Sequence, residues 1–178
     1  MNWEQSLEKL KEGNEKYLKA DKNCGDISPA IREKTYLNGQ HPYAIIVTCA
    51  DSRVIPESIF SAGIGELFVI RAAGNVIDDV QLGSIEYAAG HLGCPLVVVL
   101  GHSKCGAVDA AVNHSPTGFV KFITDKIRSA IGNEKDDIKA CGRNVLHGVK
   151  RIEESLDIEG LKALGAIYRI DSGKVEFL

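Results

Sequence analysis

Three short apolar runs limit most strongly what this chain can fold into: Ala44-Ile45-Ile46-Val47-Thr48, Leu67-Phe68-Val69-Ile70 and Leu96-Val97-Val98-Val99-Leu100. Uninterrupted runs of this length, rich in β-branched residues, suit strands covered on both faces, the condition of a parallel sheet. Segments with helical patterning separate them, notably 80–92, where Asp78-Asp79 supply a cap and a favourable charge for the helix dipole. A fourth strand is expected over 163–170 and a short fifth over 174–177, with Asp171-Ser172-Gly173 turning between them. Between the third and fourth strands, Phe119, Ile123, Ile127 and Ala130 share one helical face, and Ile138, Cys141, Val145, Val149, Ile152 and Leu156 another. The fold class is α/β, a mostly parallel central sheet of about five strands flanked by helices.

An amphipathic helix precedes this alternation. Trp3, Leu7, Leu10, Tyr17 and Leu18 fall at helical spacing among Glu and Lys, so the helix needs a surface to cover, such as a partner subunit. Gly25 to Pro29 breaks the pattern, and a second short helix follows before Asn38-Gly39. The expected organisation is one domain over 1–178, with residues 1–37 as a helical arm and 40–178 as the α/β core.

Composition excludes several function classes. A hydrophobic fraction of 44% and a charged fraction of 25% are ordinary for a globular chain, and a net charge of −3 offers no field for nucleic acid. No apolar run reaches the length needed to span a bilayer, and the Glu- and Lys-rich start reads as helix, not signal peptide. A cytoplasmic location follows as the expectation. The five cysteines, an odd count, argue against a disulfide framework and leave thiols available for metal.

Polar residues gather where two buried strands stop, in Thr48-Cys49-Ala50-Asp51-Ser52-Arg53 and in Gly101-His102-Ser103-Lys104-Cys105-Gly106. Open parallel sheets bind ligands at the carboxyl ends of their strands. Cys49, His102 and Cys105 make an S₂N donor set of the kind zinc takes tetrahedrally, and three protein ligands leave the fourth place for water or substrate. His102-x-x-Cys105 lets one turn aim both side chains at one ion, with Gly101 and Gly106 expected to let the backbone bend. Taken singly, Cys49 reads more readily as a small buried residue and His102 as a capping one; taken jointly, at two strand ends, they read as a metal site. Asp51 and Arg53 read as a salt bridge fixing a loop. Beside an open zinc position they have a second use, since Arg53 holds Asp51 ionised and Asp51 accepts a hydrogen bond from zinc-bound water.

Cys49-Ala50-Asp51-Ser52-Arg53 and His102-x-x-Cys105 resemble the paired signatures of the β-class carbonic anhydrases. Gly65–Arg71, Ile85-Glu86-Tyr87 and Gly165–Tyr168 extend the resemblance over most of the chain. It implies reversible hydration of carbon dioxide to bicarbonate and a proton, with one Zn²⁺ per chain supplying hydroxide near neutral pH. It also implies a homodimer or higher homo-oligomer and a substrate pocket of Gln40, Phe68, Ala73, Tyr87 and Gly106, part of it drawn from the partner chain. Ala73 is smaller than the valine common there. Some members bind bicarbonate away from the metal through Trp, Arg and Tyr; here Arg71 and Tyr168 match, but Ile46 stands at the Trp position. The resemblance thus implies a resting site in which Asp51 stays paired with Arg53. Two other readings share these residues: a hydrolase of carbonyl sulfide or carbon disulfide, and a zinc-binding relative without turnover. A thiol redox role has no Cys-x-x-Cys to support it.

Overall fold

A computed structural model describes all residues, 1–178. Its sheet runs β2-β1-β3-β4-β5, built from β1 (Ala44–Thr48), β2 (Leu67–Arg71), β3 (Leu96–His102), β4 (Lys162–Tyr168) and β5 (Val175–Phe177). The first four are parallel, and β5 returns antiparallel along β4. Every residue of β1 and β3 is buried, which is why their sequences show no polar alternation. At the edge, β2 buries only Leu67 fully and exposes Arg71.

Alternation along the strands divides the core in two. Ile46, Val98 and Leu100 face one layer, with Ile59, Phe60 and Leu10 of α1 (Trp3–Lys19). Ile45, Val47, Val97 and Val99 face the other, against Ile85 of α4 (Asp79–Gly90) and Val145 and Ile152 of α7 (Asp137–Ser155). Helices therefore cover both faces. In α4 the Gln81 side chain accepts from the Asp78 N–H at 3.0 Å, fixing the start that the aspartates signal.

The N-terminal helix docks on its own chain. Leu10 is fully buried, Trp3, Leu7 and Tyr17 pack beside it, and Asn14 bridges three backbone groups, donating to Ile59 and Gly173 carbonyls and accepting from the Val175 N–H. Such anchoring satisfies a polar side chain inside an apolar seam. The second helix, α2 (Pro29–Asn38), starts on a Ser28 cap and buries nothing, leaving Tyr36 and Leu37 exposed.

Phe119 departs from its expected face. It precedes α6 (Val120–Ile131) and is 89% exposed, while Thr124, Ile127 and Ile131 form the buried stripe. The stripe packs in a cluster with Val108 and Ala111 on one side and Ala140 and Cys141 on the other, whereas the Phe119 ring meets only the exposed Phe122, centroid to centroid 6.2 Å. No helix of the protein is long and apolar enough to cross a membrane.

Strand order positions the site. From β1 the chain steps outward to β2, then crosses back to β3 on the other side of β1. The carboxyl ends of β1 and β3 thus flank the point where the winding reverses, and a crevice opens there. Cys49 follows β1 directly, and His102 is the last residue of β3.

Candidate metal centre

Cys49, His102 and Cys105 converge in this crevice, with their donor atoms all within 4.8 Å of one another. All three are buried. The two cysteines belong to a small apolar cluster with Val108, Ile127, Ile131 and Cys141.

Cys105 is the N-cap of α5 (Gly106–Asn113), reached from His102 through a turn in which Lys104 has φ 57°. Two contacts hold this left-handed residue: its N–H donates to Asp137 Oδ2 at 3.1 Å, and its carbonyl accepts from Arg53 Nη2 at 3.1 Å. The bend therefore falls on Lys104, not on the glycines expected to make it. Gly101 lies within β3, and a Cβ there would stand 2.6 Å from Val145 Cγ2, so its smallness serves the close approach of α7. Gly106 has open space where a Cβ would be.

The Cys49 sulfur accepts from the Gly74 N–H at 3.2 Å and from the Asp51 N–H at 3.4 Å. Gly74 has φ 65°, and a Cβ would lie 2.7 Å from Ile127 Cδ1, so only glycine fits the turn that aims this amide. Arg71 ties down the same loop, donating from Nε to the Cys49 carbonyl at 3.2 Å and from Nη2 to the Asp51 carbonyl at 2.7 Å.

His102 Nδ1 lies 2.9 Å from the Ser103 carbonyl, which assigns the proton to Nδ1 and the lone pair to Nε2 in the neutral ring. Nε2 is buried without a hydrogen-bond partner. A buried polar atom left so costs about 1–3 kcal/mol, and a metal ion shared with the two sulfurs would satisfy it. The donor set fits zinc by the same observation: two thiol sulfurs and one imidazole nitrogen are borderline-soft ligands suited to that ion.

The two thiols perturb each other in opposite directions. The contact with Cys105 pulls the Cys49 thiol far down, against its burial, helped by His102 and the Gly74 and Asp51 amides. The same contact, with burial, pushes Cys105 up. Burial draws His102 down, but Cys49 and the Ser103 carbonyl outweigh it and leave the imidazole raised. Protons compete with a metal for these donor atoms, so metal binding is coupled to proton release.

Asp51 is bound by the Arg53 guanidinium on both oxygens, Nε to Oδ1 at 2.9 Å and Nη2 to Oδ2 at 2.7 Å, and the Arg53 N–H adds a third bond to Oδ1 at 2.9 Å. Arg53 holds the carboxyl well below the usual carboxylate range despite partial burial. Oδ2 stands 3.9 Å from His102 Nε2, so a fixed negative charge borders the three donors.

The five residues expected to form one pocket fall into two sets. Ala73 opens the 3-10 turn that continues into Gly74, and Gly106 follows Cys105, so both adjoin the centre. Gln40, Phe68 and Tyr87 do not. Phe68 pairs with Ile45, four residues and roughly 13 Å of strand below Cys49. Tyr87 lies against Phe68 with ring centroids 6.2 Å apart, and Gln40 precedes β1 on the surface. They sit toward the amino end of the sheet, Gln40 ahead of β1, Phe68 near the start of β2 and Tyr87 on α4 against it, whereas the metal-ligand candidates gather at the carboxyl ends of β1 and β3. The three positions matched to distant bicarbonate binding are likewise otherwise engaged. Ile46 is core, Tyr168 Oη contacts Tyr17 Oη at 3.0 Å, and Arg71 serves the Cys49 loop.

An α/β sheet with an S₂N cluster at its winding reversal and a carboxylate clamped beside it defines a class of metal-capable enzyme fold. Residues 44–175 match the carbonic anhydrase family model. Carbonic anhydrase 2 of Mycobacterium tuberculosis is 38% identical over 182 residues, covering 93% of this chain and 87% of that one. Among solved structures, the β-carbonic anhydrase CafA of Aspergillus fumigatus aligns with TM-score 0.73 and 28% identity over 98% of this chain and 89% of its own. The Coccomyxa β-carbonic anhydrase in complex with acetazolamide aligns with TM-score 0.73 and 26% identity over 84% and 79%. The chain belongs to the β-carbonic anhydrase family.

Sequence reasoning missed Gly74, Asp137 and the loop-holding role of Arg71. A signal for the first exists in Ala73-Gly74-Asn75, a turn tripeptide directly after a strand that neighbours β1. Asp137 carries none, because its partner is a backbone amide 33 residues away.

Proposed function

We propose that this protein catalyses the reversible hydration of carbon dioxide to bicarbonate and a proton, with one zinc ion held by Cys49, His102 and Cys105. The observation that carries this reading is the buried, unpartnered His102 Nε2 facing two sulfurs within 4.8 Å. When bound there, zinc lowers the pKa of water enough to supply a nucleophile near neutral pH. The chain's own residues do the rest. Asp51, kept ionised by Arg53, can only accept a hydrogen bond, so it takes one from the reacting water and turns a lone pair toward carbon dioxide. The Gly74 and Asp51 amides spread the charge of the Cys49 thiolate. The apolar cluster behind the cysteines limits access of bulk water to the site.

Ala73 and Gly106 line the near side of the substrate pocket in this reading. Gln40, Phe68 and Tyr87 reach the centre of a second copy in a homodimer. Their separation from Cys49 within one chain supports this, as does the exposure of Tyr87 and Gln40. Assays of one zinc-loaded sample with carbon dioxide and with carbon disulfide test the reading. Rapid hydration with little sulfide release is expected, and the reverse ratio would make the protein a hydrolase of sulfur analogues.

A further inference from the structure

On the Asn144 side of the Gly74–Asn75 turn, α6 and α7 leave a furrow of about 150 Å³. Asn75, Lys126, Ser129, Asn144, His147 and Arg151 supply its polar lining, and no carboxylate lines it. Two donors within it are buried and have no acceptor: Asn75 Nδ2, on a residue 3% exposed, and Arg151 Nε. The groups around them are already engaged. Asn144 Nδ2 donates to the Gly74 carbonyl at 2.8 Å, Arg151 Nη2 to Asp79 Oδ1 at 3.1 Å, and Lys126 Nζ pairs with Asp78 Oδ1 at 2.6 Å.

Buried donors without acceptors carry an uncompensated desolvation penalty and call for an occupant that accepts hydrogen bonds. One water needs only about 10–15 Å³ of such space, so the furrow admits something larger. Arg151 and Lys126 are each paired with an aspartate that lies outside the lining, so the furrow itself presents donors and cationic groups and no carboxylate, which favours an accepting oxyanion over a cation. Donors arranged around a small polar space suit several oxygens on one centre.

We propose that this furrow binds a small oxyanion of the carbonate or phosphate type, which accepts from Asn75 Nδ2 and Arg151 Nε. Lys126 and His147 stand at its mouth. The site is distinct from the metal centre and does not depend on the reaction proposed above. It does adjoin that centre, because Asn75 follows Gly74, whose amide bonds the Cys49 sulfur.

Side-chain nitrogen NMR on the zinc-loaded, full-length protein tests this, with inorganic phosphate and bicarbonate titrated separately. The Asn75 Nδ2 and Arg151 Nε signals should shift to saturation with at least one of them, and the anion that saturates first identifies the type. Arg151→Met should weaken that binding by roughly tenfold, the worth of one charge-assisted hydrogen bond. Lys126→Met, on another helix, should weaken it less and serves if the first variant is unstable. Anion contact at the metal centre would move the Asp51 amide instead and persist in both variants. Failure of both anions to saturate the two signals, or equal affinity in Arg151→Met and Lys126→Met, would overturn the proposal and leave the furrow to water.

Discussion

Replacing Gly101 by alanine puts a methyl group into the seam between β3 and α7. The added Cβ stands 2.6 Å from Val145 Cγ2, where carbons in contact prefer about 3.8 Å. The seam must therefore open by about 1.2 Å, or a side chain must leave its rotamer. Val145 has little room to turn, because its Cγ1 lies 2.8 Å from where a Gly165 Cβ would be, so it is threaded between two glycines. Overpacking costs about 1–3 kcal/mol, and this confinement argues for about 2–3. For a chain of 178 residues, that lowers the melting temperature by about 4–12 °C. Val145→Ala alone should cost about 1.5–2 kcal/mol in lost burial. In the Gly101→Ala background it removes the clash, so the double variant should be more stable than the sum of the two losses by at least about 1 kcal/mol. Urea unfolding of the four proteins at saturating zinc measures the coupling. Additivity within about 0.5 kcal/mol, or a Gly101→Ala protein as stable as the parent, would refute the account of why glycine stands there.

The sheet was legible because burial on both faces removes polar residues from a strand, and β1 and β3 show that directly. The Cys-His-Cys cluster was legible because its members, each ordinary when taken singly, fall jointly at the carboxyl ends of two such strands. What could not be read is set by contacts distant in sequence. The bend expected of Gly101 and Gly106 falls on Lys104, and Gly101 is small for another reason, because only the position of α7 says which backbone must be small. Likewise, Phe119 fits the helical period yet falls before the first turn, outside the cluster that buries Ile127 and Ile131. A pocket drawn partly from a partner chain was expected, but which of its residues lie far from the centre of their own chain follows from strand register, which places Phe68 beside Ile45 and far from Cys49.

Arg53→Met should lower kcat/KM for carbon dioxide hydration by roughly 10–100-fold, since it releases the carboxylate that orients the reacting water. Zinc content should stay near that of the parent, because Arg53 touches none of the three donors and the Asp137 contact still holds the Lys104 turn; activity within threefold of the parent would contradict the role (about 0.7 kcal/mol in the barrier). Arg53→Lys should rescue only part of this loss, as a single ammonium cannot grip both carboxylate oxygens. The stability contributed by the pair has a defined pH window. Asp51 is lowered in the fold, so its contribution is complete above the unfolded value of about 3.9 and is lost as pH falls through the depressed folded value. The melting difference between parent and Arg53→Met should thus hold constant from about pH 8 to pH 5 and shrink only below about pH 4. A difference that fades between pH 7 and 6, near the ordinary histidine range of about 6.5, would assign it to another group.

The most direct measurement is stopped-flow hydration of carbon dioxide at mildly alkaline pH, with zinc determined in the same samples, for the parent and Cys105→Ala. The account predicts about one zinc per chain and rapid hydration in the parent, with both zinc and activity lost in the variant. Full zinc occupancy without hydration in the parent, or hydration that survives Cys105→Ala, would contradict it.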